Sequence, residues 1–309
     1  MVIADSVEGP ERDRSGRARI TRASIQLDSR RLSYLQAGGS AAGRTILLIH
    51  GSGVSARYWG AQLRGLAGHA RVLAPDLPGH GESDPGDAAD VEQYADVVAL
   101  ALDALAAGPV VAVGHSLGGA IAMSLAARRP HLTSALVLLS SCTRLPDSGG
   151  AVERLLTALP GPVRKLVFFS IARRILFAPG ASSEAVRLGM REIRACPPDT
   201  IARDVRIAKA MDLTNEAAAL RLPTLVLCGS LDRVTPPALS EQLAGVIAGS
   251  RLTIIPGAGH MLPLEVPDRV NADISSFAHT IAGPIGRGAG EAARPAPSLL
   301  QRVLAWVRR

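Results

Sequence analysis

Six short runs of consecutive apolar residues punctuate the chain, at 45–49 (TILLI), 71–74 (RVLA), 110–113 (VVAV), 135–139 (ALVLL), 224–228 (TLVLC) and 252–255 (LTII). Continuous runs of this length, as opposed to alternating ones, suit parallel strands covered on both faces. Between several of them lie stretches with helical periodicity, such as 91–106 (VEQYADVVALALDALA) and 119–128. Strand and helix alternation predicts an α/β fold built on a mostly parallel, doubly wound sheet with right-handed crossovers. About eighty residues separate the runs at 135–139 and 224–228, and they show helical periodicity without a strand pattern. They predict an inserted helical subdomain over residues 143–218.

The two ends read differently from the middle. Residues 1–22 are polar, mixed in charge and aperiodic, which predicts a disordered leader. That leaves 23–142 and 219–284 to form the α/β core. Residues 285–309 begin as a Gly/Ala/Pro linker and end in SLLQRVLAWVRR. There Leu299, Leu300, Val303, Leu304 and Val307 fall on one face at helical spacing, with Arg302, Arg308 and Arg309 elsewhere. Such a helix over 298–309 either lies at an anionic membrane surface or docks on its own chain or a neighbour's. Residues 104–127 are apolar enough to suggest a membrane span. Gly108-Pro109, Gly114, Gly118 and Gly119 break that stretch into strand, turn and helix instead.

Composition adds little to this picture, but charge adds something. At 47% apolar and 20% charged residues, the 309-residue chain is ordinary for a globular protein and long enough to bury a large core. The net charge of +7 raises nucleic acid, anionic lipid and acidic substrates as partners. Its distribution narrows them: the insertion carries +4 and residues 285–309 another +4, whereas both halves of the α/β core are slightly acidic. With no basic face on the core and no recognition motif, nucleic acid is not an expected partner. Three scattered cysteines, Cys142, Cys196 and Cys228, make neither a disulfide framework nor a zinc site. No secretory signal is visible at the N-terminus, so a cytoplasmic location is expected.

The chemistry concentrates at Gly114-His115-Ser116-Leu117-Gly118-Gly119, directly after the run 110–113 and directly before a helical pattern. A serine on so sharp a strand-to-helix turn needs neighbours without Cβ atoms, and the following helix points its N-terminus at the hydroxyl. Serine is a weak nucleophile without a base and an orienting acid. Asp232, past the run 224–228, and His260, past the run 252–255, both fall at carboxyl ends of predicted strands, where α/β sheets gather their sites. The expected catalytic set is Ser116, Asp232 and His260, with Asp147 as the substitute acid. His50 and His80 lack metal-ligand spacing and are expected to shape loops, and no metal or cofactor is expected. His115 is expected to face inward as packing. Phe168, Phe169 and Phe177 in the insertion read either as the apolar face of a helix or as a wall for a hydrophobic substrate. Met261, beside the histidine, joins them as a pocket residue.

Residues 46–51 (ILLIHG), 72–83 (VLAPDLPGHGES), 113–119 (VGHSLGG), 224–232 (TLVLCGSLD) and 257–265 (GAGHMLPLE) resemble the motif series of the α/β-hydrolase fold superfamily. The branch they resemble has a serine nucleophile and a helical lid, as in esterases, lipases and lactonases. The resemblance covers about residues 25–280, with the insertion matching only in kind. It implies an oxyanion hole made by the backbone N–H groups of Leu117 and Ser52.

It also implies acyl transfer on a small ester, lactone or thioester, with Ser116 attacking, His260 shuttling the proton and Asp232 holding the imidazole. Serine at position 116 argues against the epoxide hydrolases and dehalogenases of this fold, which attack with a carboxylate. Carbon–carbon bond hydrolases and cofactor-free perhydrolases or haloperoxidases share the triad and remain alternatives. The sequence Met261-Leu262-Pro263 lacks the aromatic residue that the former carry after the histidine. A non-catalytic receptor for a hydrophobic ligand is the alternative outside enzymes.

Overall fold

The computed structural model describes residues 18–39, 44–146 and 161–281. The expected leader up to residue 17, the substitute acid Asp147 and the tail helix at 298–309 lie outside the described residues. Eight strands form one sheet: β1 (Thr21–Leu27), β2 (Arg30–Ala37), β3 (Thr45–Ile49), β4 (Arg71–Pro75), β5 (Val110–His115), β6 (Thr133–Leu139), β7 (Thr224–Gly229) and β8 (Arg251–Ile255). Their spatial order is β1-β2-β4-β3-β5-β6-β7-β8. From β4 to β8 every pairing is parallel, whereas β2 runs antiparallel to both β1 and β4.

The six parallel strands coincide with the six apolar runs. The antiparallel pair β1–β2 has no such signature, because it lies at the sheet edge and TRASIQL buries only Ile25 fully. Strand β1 starts at Thr21, two residues inside the stretch whose polarity reads as leader. Arg22 tolerates that position because its guanidinium meets the fully buried Asp76 carboxylate at 2.6 Å.

Helices cover both faces. They are α1 (Gly60–Leu66), α2 (Val91–Ala104), α3 (Leu117–Arg128), α4 (Gly161–Leu176), α5 (Ser183–Ala195), α6 (Pro198–Ala210), α7 (Thr214–Ala219), α8 (Pro237–Val246), α9 (Leu262–Glu265) and α10 (Pro267–Thr280). Alternate strand residues feed two cores. Leu47, Ile49, Ala112, Leu136 and Val226 pack with α2, α3, α7 and α8. Ile46, Leu48, Val113, Val137 and Leu227 pack with α1, α10 and residues of α5. The apolar stretch 104–127 divides between α2, β5 and α3. No helix among the described residues is long and apolar enough to cross a membrane.

Two features of this topology position a site. The chain leaves β3 for β4 on one side and returns past it to β5 on the other, so the carboxyl ends of β3 and β5 meet at Ile49↔Gly114. Ligand sites of open α/β sheets form at such reversals. Between β6 and β7 the helices α4 to α7 intervene, and α5 and α6 are tied to the core from above. Ser55 Oγ donates to the Glu192 carboxylate at 2.5 Å, and Tyr94 Oη donates to Asp204 at 2.7 Å. His80 Nε2 lies 2.9 Å from Asp204, both side chains fully buried. Helix α7 instead packs into the core against α3.

Candidate active site

Ser116 sits between β5 and α3 with φ 54° and ψ −122°, a strained conformation for a residue with a side chain. Its amide donates to the Leu139 carbonyl (2.9 Å), and its own carbonyl accepts from Ser141 Oγ (2.9 Å). The flanking glycines are required by close approach. A methyl on Gly114 would stand 2.2 Å from the Gly118 carbonyl oxygen, and one on Gly118 would stand 2.2 Å from that of Ile49. Strain of this kind typically stores about 1–3 kcal/mol. Ser116→Gly is therefore expected to raise the unfolding free energy by roughly 1 kcal/mol in denaturant titration while removing the hydroxyl.

Asp232 and His260 meet directly. His260 Nδ1 lies 2.9 Å from Asp232 Oδ2 and 3.1 Å from Oδ1, with both residues buried. The carboxylate also accepts the N–H groups of Val234 and Thr235 at 2.9 Å and the Thr235 hydroxyl at 2.9 Å. Burial pushes the Asp232 carboxyl up, but the imidazole beside it and the Thr235 N–H outweigh burial and hold it at about 2. With Nδ1–H committed to Asp232, Nε2 is the nitrogen left with a free lone pair.

Ser116 joins this pair through its neighbour. His115 Nε2 donates to the His260 carbonyl at 2.8 Å, and the His115 ring lies 4.9 Å from that of His260 and 5.1 Å from that of Tyr58. A direct hydrogen bond from Ser116 to His260 is not among the contacts of this structure. Such contacts are often long without substrate. Ser116 is half-buried, whereas its two expected partners are buried.

The loop after β3 lies against the serine. A methyl on Gly51 would stand 3.0 Å from Ser116 Cβ, which brings Ser52 to the same corner. His50 holds that loop: its Nδ1–H donates to the Gly51 carbonyl (2.8 Å), and its Nε2 accepts the Leu77 N–H (3.0 Å). Asp76 holds its far side, accepting the N–H groups of Ala56 (2.7 Å) and Glu82 (3.0 Å). Leu117 opens α3, so its N–H has no intrahelical partner. The sequence does not single out Asp76 or Thr235. Each is a small polar residue immediately beyond a strand or beside a candidate acid, and that is the only signal for them.

Burial holds the His115 imidazole down to about 3, assisted by the neighbouring His260, and holds His50 down to about 4, assisted by His80. Both rings are neutral in the native protein and take up protons on unfolding below the ordinary value of 6.5. The unfolded state then binds more protons, so their contribution is present above 6.5 and lost as the pH falls through the folded values. The melting temperature is expected to fall between pH 6.5 and about 4. In calorimetry a His115→Gln variant should lose less over that window.

The candidate pocket residues separate. Phe177 and Met261 are buried together: their Cζ and Cε atoms lie 2.6 and 3.2 Å from where a methyl on Gly189 would stand. Phe169 is half-buried with the Arg194 guanidinium 5.3 Å from its ring centre. Phe168 lies on α4, and its side chain is outside the described set. Cys142, Cys196 and Cys228 are free and buried. Among the described residues no cluster of three or more His, Cys, Asp or Glu side chains offers a metal site.

Comparison with known proteins bears on the family and the fold. The family model for the alpha/beta hydrolases matches residues 46–273. The pimeloyl-[acyl-carrier protein] methyl ester esterase of Neisseria meningitidis serogroup C is 29% identical over 225 residues, 70% of this chain and 86% of that protein. The 2-hydroxy-6-oxo-2,4-heptadienoate hydrolase of Pseudomonas putida is 30% identical over 236 residues, 72% of this chain and 85% of that protein. Among solved structures, that of a thermophilic esterase superposes with a TM-score of 0.74 at 30% identity, covering 86% of this chain and all of that one.

Proposed function

The chain belongs to the alpha/beta hydrolase family, and from that premise we propose that it is a serine hydrolase of carboxylic esters, lactones or thioesters. The observation that carries the proposal is the buried 2.9 Å contact between His260 Nδ1 and Asp232, beside a serine held at φ 54° on the neighbouring turn. Those are the requirements of an activated nucleophile: a base, a group that orients it, and a hydroxyl on a sharp turn.

In the proposed reaction Ser116 Oγ attacks the acyl carbonyl as His260 Nε2 takes its proton. Asp232 keeps the imidazole in the tautomer that presents Nε2 and stabilises the imidazolium. The negative charge that develops on the carbonyl oxygen is met by the N–H groups of Leu117 and Ser52, each such donor worth about 10²- to 10³-fold in rate. His260 then protonates the leaving alcohol or thiol, and water, deprotonated by the same nitrogen, releases the acid from Ser116. Helices α4 to α6 act as a lid over this corner. Phe177 and Met261 contribute to the apolar wall behind His260.

A second reading is hydrolysis of a carbon–carbon bond next to a carbonyl, which the Pseudomonas putida relative favours by its name. One substrate panel separates the two. It contains p-nitrophenyl esters of increasing chain length, lactones, acyl-thioesters, methyl esters of acyl chains tethered to a carrier protein, and a 2-hydroxy-6-oxo-dienoate. Turnover of esters or thioesters with none of the dienoate supports acyl hydrolysis, and the reverse pattern overturns it.

A further inference from the structure

The loop that carries His260 is held from outside the sheet. Leu176 ends α4, and its carbonyl is one of the four that a helix end leaves without intrahelical partners. It accepts the N–H groups of His260 (3.0 Å) and Met261 (3.2 Å). A carboxylate completes the connection. Glu265, the last residue of α9, accepts the N–H of Gly259 on Oε2 (3.0 Å), that of Met261 on Oε1 (3.0 Å) and that of Ala178 on Oε2 (3.0 Å). The residues before and after His260 are thus bound through one side chain to the segment that leaves α4.

The fit is close: a methyl on Gly259 would stand 2.5 Å from the Ala178 nitrogen and 2.9 Å from Glu265 Oε1. Burial drives the Glu265 carboxyl above its ordinary range, against the three N–H donors that favour its charge. A group kept in so unfavourable a place by three donors is holding backbone in position. Asp232 and the Thr235 hydroxyl (3.3 Å) hold one ring nitrogen of His260, and the His115 ring lies 4.9 Å from the imidazole. The backbone of 259–261 sets where that side chain starts from.

We infer that Glu265 is the positioning residue of the base, clamping residues 259 and 261 to Ala178 so that the inserted helices, together with Asp232, set where His260 stands. The inference rests on the role proposed above for His260. Glutamine at 265 keeps the size but turns one acceptor oxygen into an N–H₂ group facing an N–H donor, so at least one of the three bonds is lost. Misplacement of a catalytic group by about 1 Å costs up to about 10²-fold in rate.

The test compares wild type, Glu265→Gln and Glu265→Asp by ester kinetics, melting temperature and amide hydrogen exchange. Glu265→Gln is expected to lower kcat about 10- to 100-fold with KM within about twofold. Its amides at 176–178 and 259–261 should lose protection together while β5 keeps its own. Glu265→Asp, which retains the charge on a shorter side chain, should recover part of kcat, and it carries the measurement if the glutamine chain does not fold. Unchanged kcat in folded Glu265→Gln overturns the inference, as does unchanged exchange at those amides or acceleration spread evenly over the chain. A wild type that turns over no ester defeats the function proposed above instead, and the exchange pattern alone then decides whether the clamp exists.

Discussion

Replacing Ser116 with alanine is expected to lower turnover of short p-nitrophenyl esters by about 10⁵-fold or more, with the melting temperature unchanged within a few degrees. The size follows from the division of labour at the site. A serine nucleophile and its base act as one unit, so removing the hydroxyl forfeits the whole covalent route and leaves only binding and oxyanion stabilisation for water. The fold does not need the hydroxyl. Ser116 is held through its backbone, its N–H donating to Leu139 and its carbonyl accepting from Ser141, and alanine retains both. The measurement is steady-state kinetics beside a thermal melt. Loss of activity with loss of fold would say nothing about the chemistry, whereas a folded variant with retained turnover would remove Ser116 from the mechanism.

Asp232→Asn is the second large effect, a fall of about 10⁴-fold in kcat with little change in KM. The surroundings of the carboxylate dictate the direction. Oδ1 already accepts two N–H groups, from Val234 and Thr235, so the amide oxygen of asparagine will occupy that place. Its N–H₂ group then faces His260 Nδ1 and forces the imidazole into the tautomer with the proton on Nε2. Presented to Ser116, that nitrogen is a donor and can no longer act as a base. Stability carries a pH signature with a definite sign. The Asp232 carboxyl, held at about 2 against an ordinary 3.8, contributes stability that is present above 3.8 and lost as the pH falls through the folded value. The melting temperatures of wild type and Asp232→Asn should therefore converge as the pH is lowered from 4 to 2.

Much of this molecule can be read from its one-dimensional pattern, for a physical reason. Parallel strands buried on both faces must be continuously apolar, and the turn that bears Ser116 excludes Cβ atoms at Gly114 and Gly118, so both leave marks in the sequence. Strands β1 and β2 leave none: the edge strand β1 buries only Ile25 fully, the buried run of β2 includes the polar Ser33, and Arg22 finds its partner, Asp76, more than fifty residues away. The supports of the site are equally silent. Asp76, Thr235 and Glu265 act through hydrogen bonds to backbone, and any polar residue near a turn reads the same until the chain is folded. The aromatic residues of the insertion show the limit of spacing from the other side: it puts Phe169 and Phe177 in one group, but Phe177 packs with Met261 at Gly189 and Phe169 lies under Arg194.

If His260 activates Ser116 as a nucleophile, a fluorophosphonate reacted with the native protein should mark it, and peptide mass spectrometry locates the adduct. One adduct is expected, on Ser116, formed slowly or not at all when His260 is replaced by alanine. An adduct on another residue, or an unlabelled Ser116 in folded protein, would contradict this activation.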